Sequence, residues 1–338
     1  MAGMKPVIFG LSGPALTADE RAFFTACNPA GYILFKRNIV DRAQVRALTN
    51  DLRALSGRDD VPILIDQEGG RVVRMGLPVW PDFPAAATFD RLYERASISA
   101  LEAVRVNARA IGLTLAEVGI NVNIAPVLDV RRPETHDAIG ERSFGSDPVR
   151  VASFGAAMLD GLRQAGVVGV IKHMPGQGRA TVDTHHHLPV VDVSNADLAD
   201  DLFPFERLHD APMALTGHVM FSAWDAEQPA TMSAKIIRDI IRGRIGFDGL
   251  LMSDDLDMAA LSGDIAARAK ACLAAGCDIA LHCSGMLTDM IAIAEAVPVM
   301  TDRAGERLAA AMETITPADD YEAIPALIAK RDELLGLV

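Results

Sequence analysis

Cysteine is scarce in this chain and badly spaced for a structural role. The four thiols among 338 residues, Cys27, Cys272, Cys277 and Cys283, form no Cys-x-x-Cys pair and sit among apolar or small residues. They read as buried free thiols in a reducing compartment, which argues against a disulfide scaffold or a thiolate metal site. Long apolar runs are missing as well: none reaches the ~20 residues a membrane helix needs. The early run Val7-Ile-Phe-Gly-Leu11 is too short for a signal-peptide core and has no cleavage pattern after it. Positive charge is outnumbered, with 32 Lys and Arg against 45 Asp and Glu and a formal net charge of −13. An acidic surface disfavours nucleic acid and anionic membrane as partners, yet it leaves room for an anionic small substrate in a locally basic pocket. No Gly/Ser/Pro linker or block of like charge divides the chain. These absences point to a cytoplasmic protein of one domain over residues 1–338, with a core over about 5–300 and a helical tail over 301–338; a monomer is the expectation, though no sequence feature fixes it.

What is present is a repeat. Half of the residues are hydrophobic, and a short apolar run, a polar cluster and an amphipathic helical pattern recur about eight times. The runs are Val7–Gly10, Tyr32–Phe35, Val61–Ile65, Ile120–Leu128, Val167–Ile171, Pro212–Thr216, Gly249–Met252 and Asp278–Leu281. Helical patterns follow Thr17-Ala-Asp-Glu20, a capping-box start, and then span Gln44–Leu55, about Arg91–Val118, about Pro148–Ala165, Ala234–Arg244, Ile265–Ala275 and Met286–Ala296. The tail from Ala304 adds one or two more. Continuous apolar runs alternating with helices indicate parallel strands buried on both faces, and eight βα units indicate an α/β fold, a (β/α)8 TIM-type barrel. A doubly wound open sheet is the runner-up, but Gly10-Leu-Ser-Gly13 is a poor match to the glycine-rich first turn it needs.

In a barrel, the carboxyl ends of the strands surround one pocket. Asp66, Asp129, Lys172, His173, His218, Asp254 and His282 all fall at such ends, and the expectation is that their side chains converge. The densest stretch is Ile171-Lys-His-Met-Pro-Gly-Gln-Gly-Arg-Ala-Thr-Val-Asp-Thr-His185. Pro175, Gly176 and Gly178 shape the loop, and Asp183 and His185 meet only where it curls. Their contact turns the carboxylate into an orienting partner and His185 into a proton donor near neutral pH. A solvated histidine run, His185 to His187, is the plain alternative. A metal site lacks matching Cys or helical His-x-x-x-His spacings.

Asp66-Gln-Glu-Gly-Gly-Arg71 suits the gripping of hydroxyls, against a local reading in which Asp66 and Glu68 bond nearby N–H groups. Arg142 fits bidentate contact with an anionic or amide group; its alternative is an ion pair with Glu141 or Asp147. Of Asp254-Asp255, helix capping explains one acid and a nucleophilic carboxylate explains the other.

Together, Lys172-His-Met-Pro-Gly-Gln-Gly178, Asp183-Thr-His185, Asp66-Gln-Glu-Gly-Gly-Arg71, Ala125-Pro-Val-Leu-Asp129, Gly140-Glu-Arg142 and Ser253-Asp-Asp-Leu256 strongly resemble glycoside hydrolase family 3 β-N-acetylglucosaminidases (β-hexosaminidases). The likeness is to the single-domain bacterial cytosolic type of peptidoglycan recycling and runs from about Val7 to Ala296. It implies Asp254 as nucleophile, His185 as general acid/base with Asp183 as its partner, and Asp66, Arg142, Lys172 and His173 as residues holding a terminal N-acetylglucosamine. It implies no metal and no organic cofactor. The substrate it implies is N-acetylglucosaminyl-β-1,4-anhydro-N-acetylmuramic acid, with or without peptide, and the cations Arg142 and Lys172 agree with an anionic aglycone. The sequence departs from the usual motif at Gln177, where histidine is common, and at Met174, where phenylalanine is common. Three rivals stand beside this reading: a phosphorylase using phosphate on the same intermediate, another retaining enzyme such as a β-glucosidase, and a catalytically silent sugar-binding regulator.

Overall fold

A computed structural model describes residues 3–336; residues 1–2 and 337–338 of the expected domain lie outside the described residues. Eight parallel strands form the barrel: β1 Lys5–Gly10, β2 Pro29–Leu34, β3 Ile63–Ile65, β4 Val122–Asn123, β5 Val168–Met174, β6 Met213–Thr216, β7 Leu250–Met252 and β8 Ala280–His282. They pair in chain order from β1 to β7, and β8 pairs with β1. A parallel bridge between Met252 and Ile279 nearly closes the seam from β7 to β8.

Side-chain alternation along each strand sorts the core into two layers. Ile8, Ile33, Leu64, Val170, Leu215 and Leu281 belong to a buried cluster inside the barrel. Val7, Phe9, Leu34, Ile65, Ile171 and Ala214 belong to a larger one under the helices. Apart from β4, where Asn123 bonds the Gln67 backbone, both faces of the barrel strands are therefore apolar, which is why they read as runs rather than as alternation.

The capping box forms as expected: Glu20 N–H donates to Thr17 Oγ1 at 3.1 Å and Thr17 N–H to Glu20 Oε2 at 2.8 Å, starting the helix Ala18–Cys27. Three expectations change. The long helix expected over 91–118 is two, Ala86–Tyr93 and Ser97–Ala116. No Gly or Pro marks the break, so the periodicity ran through it; Tyr93 is turned aside against Phe154 and Arg150. The run Ile120–Leu128 forms a strand of only two residues, and pairing resumes as a single bridge from Val127 to Lys172 after Pro126, which has no N–H to give the ladder. The expected helix over 234–244 is a π-helix, Ile236–Arg244. The tail forms two helices, Asp302–Glu313 and Ile324–Leu335, and the second returns to Ser97–Ala116, where Arg331 donates to Asn107 Oδ1 at 3.1 Å. Among the described residues no helix is long and apolar enough to cross a membrane.

Candidate active site

Because the strands are parallel, their carboxyl ends share one rim, and a cavity of about 530 Å³ opens there. Asp66, Arg142, Lys172, His173, Asp183, His185 and Asp254 all line it, so all seven expected site residues come together. Of the seven polar residues at strand ends, only Asp66, Lys172, His173 and Asp254 do so. Asp129, His218 and His282 are buried behind the wall, correcting the expectation that all seven converge. β5 also runs farther than its apolar run suggested, to Met174, which sets Lys172 and His173 inside the strand.

The floor is a cluster of paired charges. Lys172 Nζ lies 3.0 Å from Asp66 Oδ1 and 2.6 Å from Glu68 Oε1. Arg142 donates to Glu68 through Nε and Nη2, both at 2.9 Å, and Arg74 Nη2 reaches Asp66 Oδ2 at 3.3 Å. Burial pushes both carboxyls upward, but the Arg142 and Lys172 charges at Glu68, and those of Lys172 and Arg74 at Asp66, outweigh it and hold both below the usual range. Burial likewise pulls Arg142 down and Glu68 more than restores it.

Glu68 is the residue sequence reasoning missed. Its position two after Asp66 was the available signal, but a local turn role explained it equally well. Its partners come from 74 residues away and from β5. Arg142 accordingly pairs with neither Glu141, which accepts from Arg71 N–H, nor Asp147, which caps the helix Pro148–Gln164. Arg142 and Lys172, the cations set against an anionic aglycone, are thus each paired with carboxylates of the chain itself.

His173 is oriented from behind. Its Nδ1 lies 2.7 Å from Asp129 Oδ2, and Asp129 Oδ1 accepts from Gln177 N–H at 2.7 Å. An ionised carboxylate only accepts, so Nδ1 carries the ring proton, and Nε2 faces Arg142 Nη2 at 3.4 Å. Gln177 lines the cavity and lies buried; its Nε2 donates to Thr184 Oγ1 at 3.4 Å, while its Oε1 has no partner among the described residues.

The wall carrying Asp183 and His185 is a different construction. The loop curls so that Asp183 Oδ1 accepts from His185 N–H at 3.0 Å and meets His185 Nδ1 at 2.8 Å. Here too Nδ1 holds the proton, and the ring, with 66% of its side chain exposed, is left with Nε2 free. Burial raises the Asp183 carboxyl, but these hydrogen bonds outweigh it and hold it below its usual range. The pair therefore exists, although its neighbours His186 and His187 are exposed.

Across the cavity, Asp254 and Asp255 follow β7. Asp255 N–H donates to Asp254 Oδ1 at 2.8 Å, and Asp255 Oδ1 accepts from Asp257 N–H and Cys283 N–H, each at 3.1 Å. The cap expected of one acid is thus a turn contact, because the next helix begins only at Ile265. Burial, with the neighbouring Asp254 charge, outweighs the hydrogen bonds from Asp257 and Cys283 and pushes the Asp255 carboxyl up to about 6.

Residues 7–316 match the model of the glycosyl hydrolase family 3 N terminal domain. A β-hexosaminidase of Aromatoleum aromaticum is 34% identical over 342 residues, covering 99% of this chain and 95% of the relative. A β-hexosaminidase of Bordetella avium is 35% identical over 305 residues, covering 88% of this chain and 86% of the relative. Among solved structures, NagZ from Neisseria gonorrhoeae in complex with N-trifluoroacetyl-D-glucosamine superposes with a TM-score of 0.86 at 29% identity, covering 99% of this chain and 98% of that one.

Proposed function

The chain belongs to glycoside hydrolase family 3 as a β-N-acetylhexosaminidase, and we propose that it acts by retention, removing terminal β-linked N-acetylglucosamine from peptidoglycan fragments. The observation that carries this reading is one cavity lined by Asp254, by the Asp183–His185 pair and by a floor of paired charges. Asp254 attacks the anomeric carbon while His185, protonated on Nε2, donates to the departing oxygen. A glycosyl–Asp254 intermediate results. Water then opens it as the same Nε2 takes a proton back. Asp183 stays ionised, holds Nδ1–H and stabilises the imidazolium, and an imidazole exchanges protons near neutrality without the burial a carboxylic acid would need.

Asp66, Arg142, Lys172 and His173 hold the sugar in the −1 position. Their internal pairing suits a neutral sugar: donors and acceptors are presented in fixed directions with little net field. The substrate we favour is N-acetylglucosaminyl-β-1,4-anhydro-N-acetylmuramic acid with or without its peptide, met in the cytoplasm by a monomeric, single-domain enzyme.

Hydrolysis of an aryl N-acetyl-β-glucosaminide tests the mechanism. Asp254→Ala is expected to lose nearly all turnover, whereas His185→Ala, which costs about 10²–10⁴-fold on a poor leaving group, loses less on an activated one. NMR of the first-formed product should show the β-anomer. Full activity in Asp254→Ala, an inverted product, a preference for the plain aryl glucoside, or sugar phosphate formed on adding phosphate each overturns part of this reading.

A further inference from the structure

His218 is fully buried just beyond β6, does not line the cavity, and takes no part in the mechanism above. Its two ring nitrogens are nevertheless both engaged. Nε2 lies 2.9 Å from the carbonyl oxygen of Asp255, and Nδ1 lies 2.8 Å from Thr231 Oγ1. A carbonyl only accepts, so Nε2 must carry a proton. Burial disfavours the imidazolium, leaving Nδ1 as an acceptor. Thr231 then turns its single hydroxyl proton toward Nδ1, rather than toward the Gly217 carbonyl at 3.1 Å, and accepts in turn from Thr216 Oγ1 at 2.8 Å. The relay runs from the end of β6 into the turn after β7 with one consistent direction of donation.

That turn holds Asp254. From the β8 side it is tied by Leu256 N–H to the Leu281 carbonyl at 3.0 Å and by Cys283 N–H to Asp255 Oδ1. Within it, Asp255 N–H fixes Asp254 Oδ1 at 2.8 Å. Among the described residues, the bond from His218 is the side-chain tether from the β6 side, and it acts on the residue whose N–H orients the Asp254 carboxylate.

We propose that His218, as a neutral Nε2–H imidazole, is a positioning residue that sets the angle of attack of Asp254 by tethering the Asp255 carbonyl. The proposal rests on Asp254 being the nucleophile. A nucleophile displaced by a fraction of an ångström still leaves the sugar subsite intact, so the loss falls on kcat and spares KM.

The test pairs two side chains of similar volume, one keeping an N–H and one without. His218→Met is expected to lower kcat on an aryl N-acetyl-β-glucosaminide about 10²-fold, with KM within about two-fold of wild type. His218→Gln should recover about ten-fold of that loss. Equal kcat in the two variants, wild-type kcat in His218→Met, or a change confined to KM overturns the proposal. Two-bond ¹⁵N–¹H correlation spectra of the wild type supply a readout that needs no variant to fold: an Nε2–H neutral ring is expected, and an Nδ1–H ring or an imidazolium at pH 7 overturns it. Failure of the underlying reading is distinguishable. An active Asp254→Ala sinks the mechanism and leaves the His218 tautomer as found, whereas a fully active His218→Met sinks the tether and leaves the nucleophile standing.

Discussion

The floor of the cavity and its His185 wall use the same chemistry, a carboxylate beside a cationic or protonatable partner, in opposite architectures. On the floor and just behind it, the bonds among Glu68, Asp66, Arg142, Lys172, His173 and Asp129 cross between strands or loops: 74 residues separate Arg142 from Glu68, 106 separate Lys172 from Asp66 and 44 separate His173 from Asp129. Asp183 and His185 are two residues apart and need no other element to meet. A pair wired across the barrel is fixed by the barrel and breaks with it. A pair wired within a loop travels with the loop and keeps its geometry wherever the loop goes, which suits the acid/base role proposed for His185.

Breaking the floor should therefore cost the fold. Glu68→Ala leaves the half-buried Arg142 without its bidentate partner and the buried Lys172 with only Asp66, and removing one side of a buried pair costs about 3–5 kcal/mol. Denaturant unfolding at pH 7 should register that loss, and a change below about 1 kcal/mol would mean that the cations relax to other partners. The acid limb has a definite sign. Because Glu68 is held below its ordinary 4.5, its contribution is complete above that value and disappears as pH falls through the lower folded one. Wild type should therefore lose stability below pH 4.5 along a limb that Glu68→Ala lacks in part.

Asp255 sharpens the comparison, since it is largely buried like Glu68 but makes no ion pair among the described residues, and its carboxyl moves the other way, from 3.8 to about 6. A raised carboxyl binds its proton more tightly in the folded chain. Its contribution is present below 3.8 and is lost as pH rises through about 6. At about 1.4 kcal/mol per pH unit, the ionised group costs up to roughly 3 kcal/mol at neutrality. Asp255→Asn keeps an acceptor for the Asp257 and Cys283 N–H groups and removes the charge. It should be more stable than wild type at pH 7.5 and no more stable at pH 3.5, and equal offsets at the two values would refute the assignment.

The same contrast explains what could be read from the chain alone. The barrel was legible because its strands are buried on both faces and punctuated by turns, so eight runs such as Val167–Ile171 stand out. The pair Asp183–His185 was legible because it is local: two residues and a curl suffice. Glu68 was not, because a carboxylate in Asp66-Gln-Glu-Gly-Gly70 is satisfied equally well by a turn or by a distant guanidinium, and only folding brings Arg142 to it. Asp129 and His218 were ranked with the pocket for the same reason. A strand end fixes which rim a residue lies on, but not whether its side chain points into the cavity or behind it. The broken helix at residues 94–96 carries no Gly or Pro, so nothing in the pattern announced it.

The smallest effect on stability belongs to the wall. Asp183→Asn keeps an oxygen for the His185 N–H, and both side chains are partly or largely exposed, so solvent screens their attraction and the loss should stay within about 0.5 kcal/mol. Activity should respond quite differently. Without the charge, Nδ1–H is held less firmly and the imidazolium less favoured, so the limb of the kcat/KM profile that reports the general acid should move to lower pH for substrates with poor leaving groups and barely move for activated ones. Unfolding curves and pH profiles of the same preparation decide it. A stability loss as large as that of Glu68→Ala would show that the loop is anchored as firmly as the floor, and an unmoved profile would show that Asp183 orients the imidazole without tuning it.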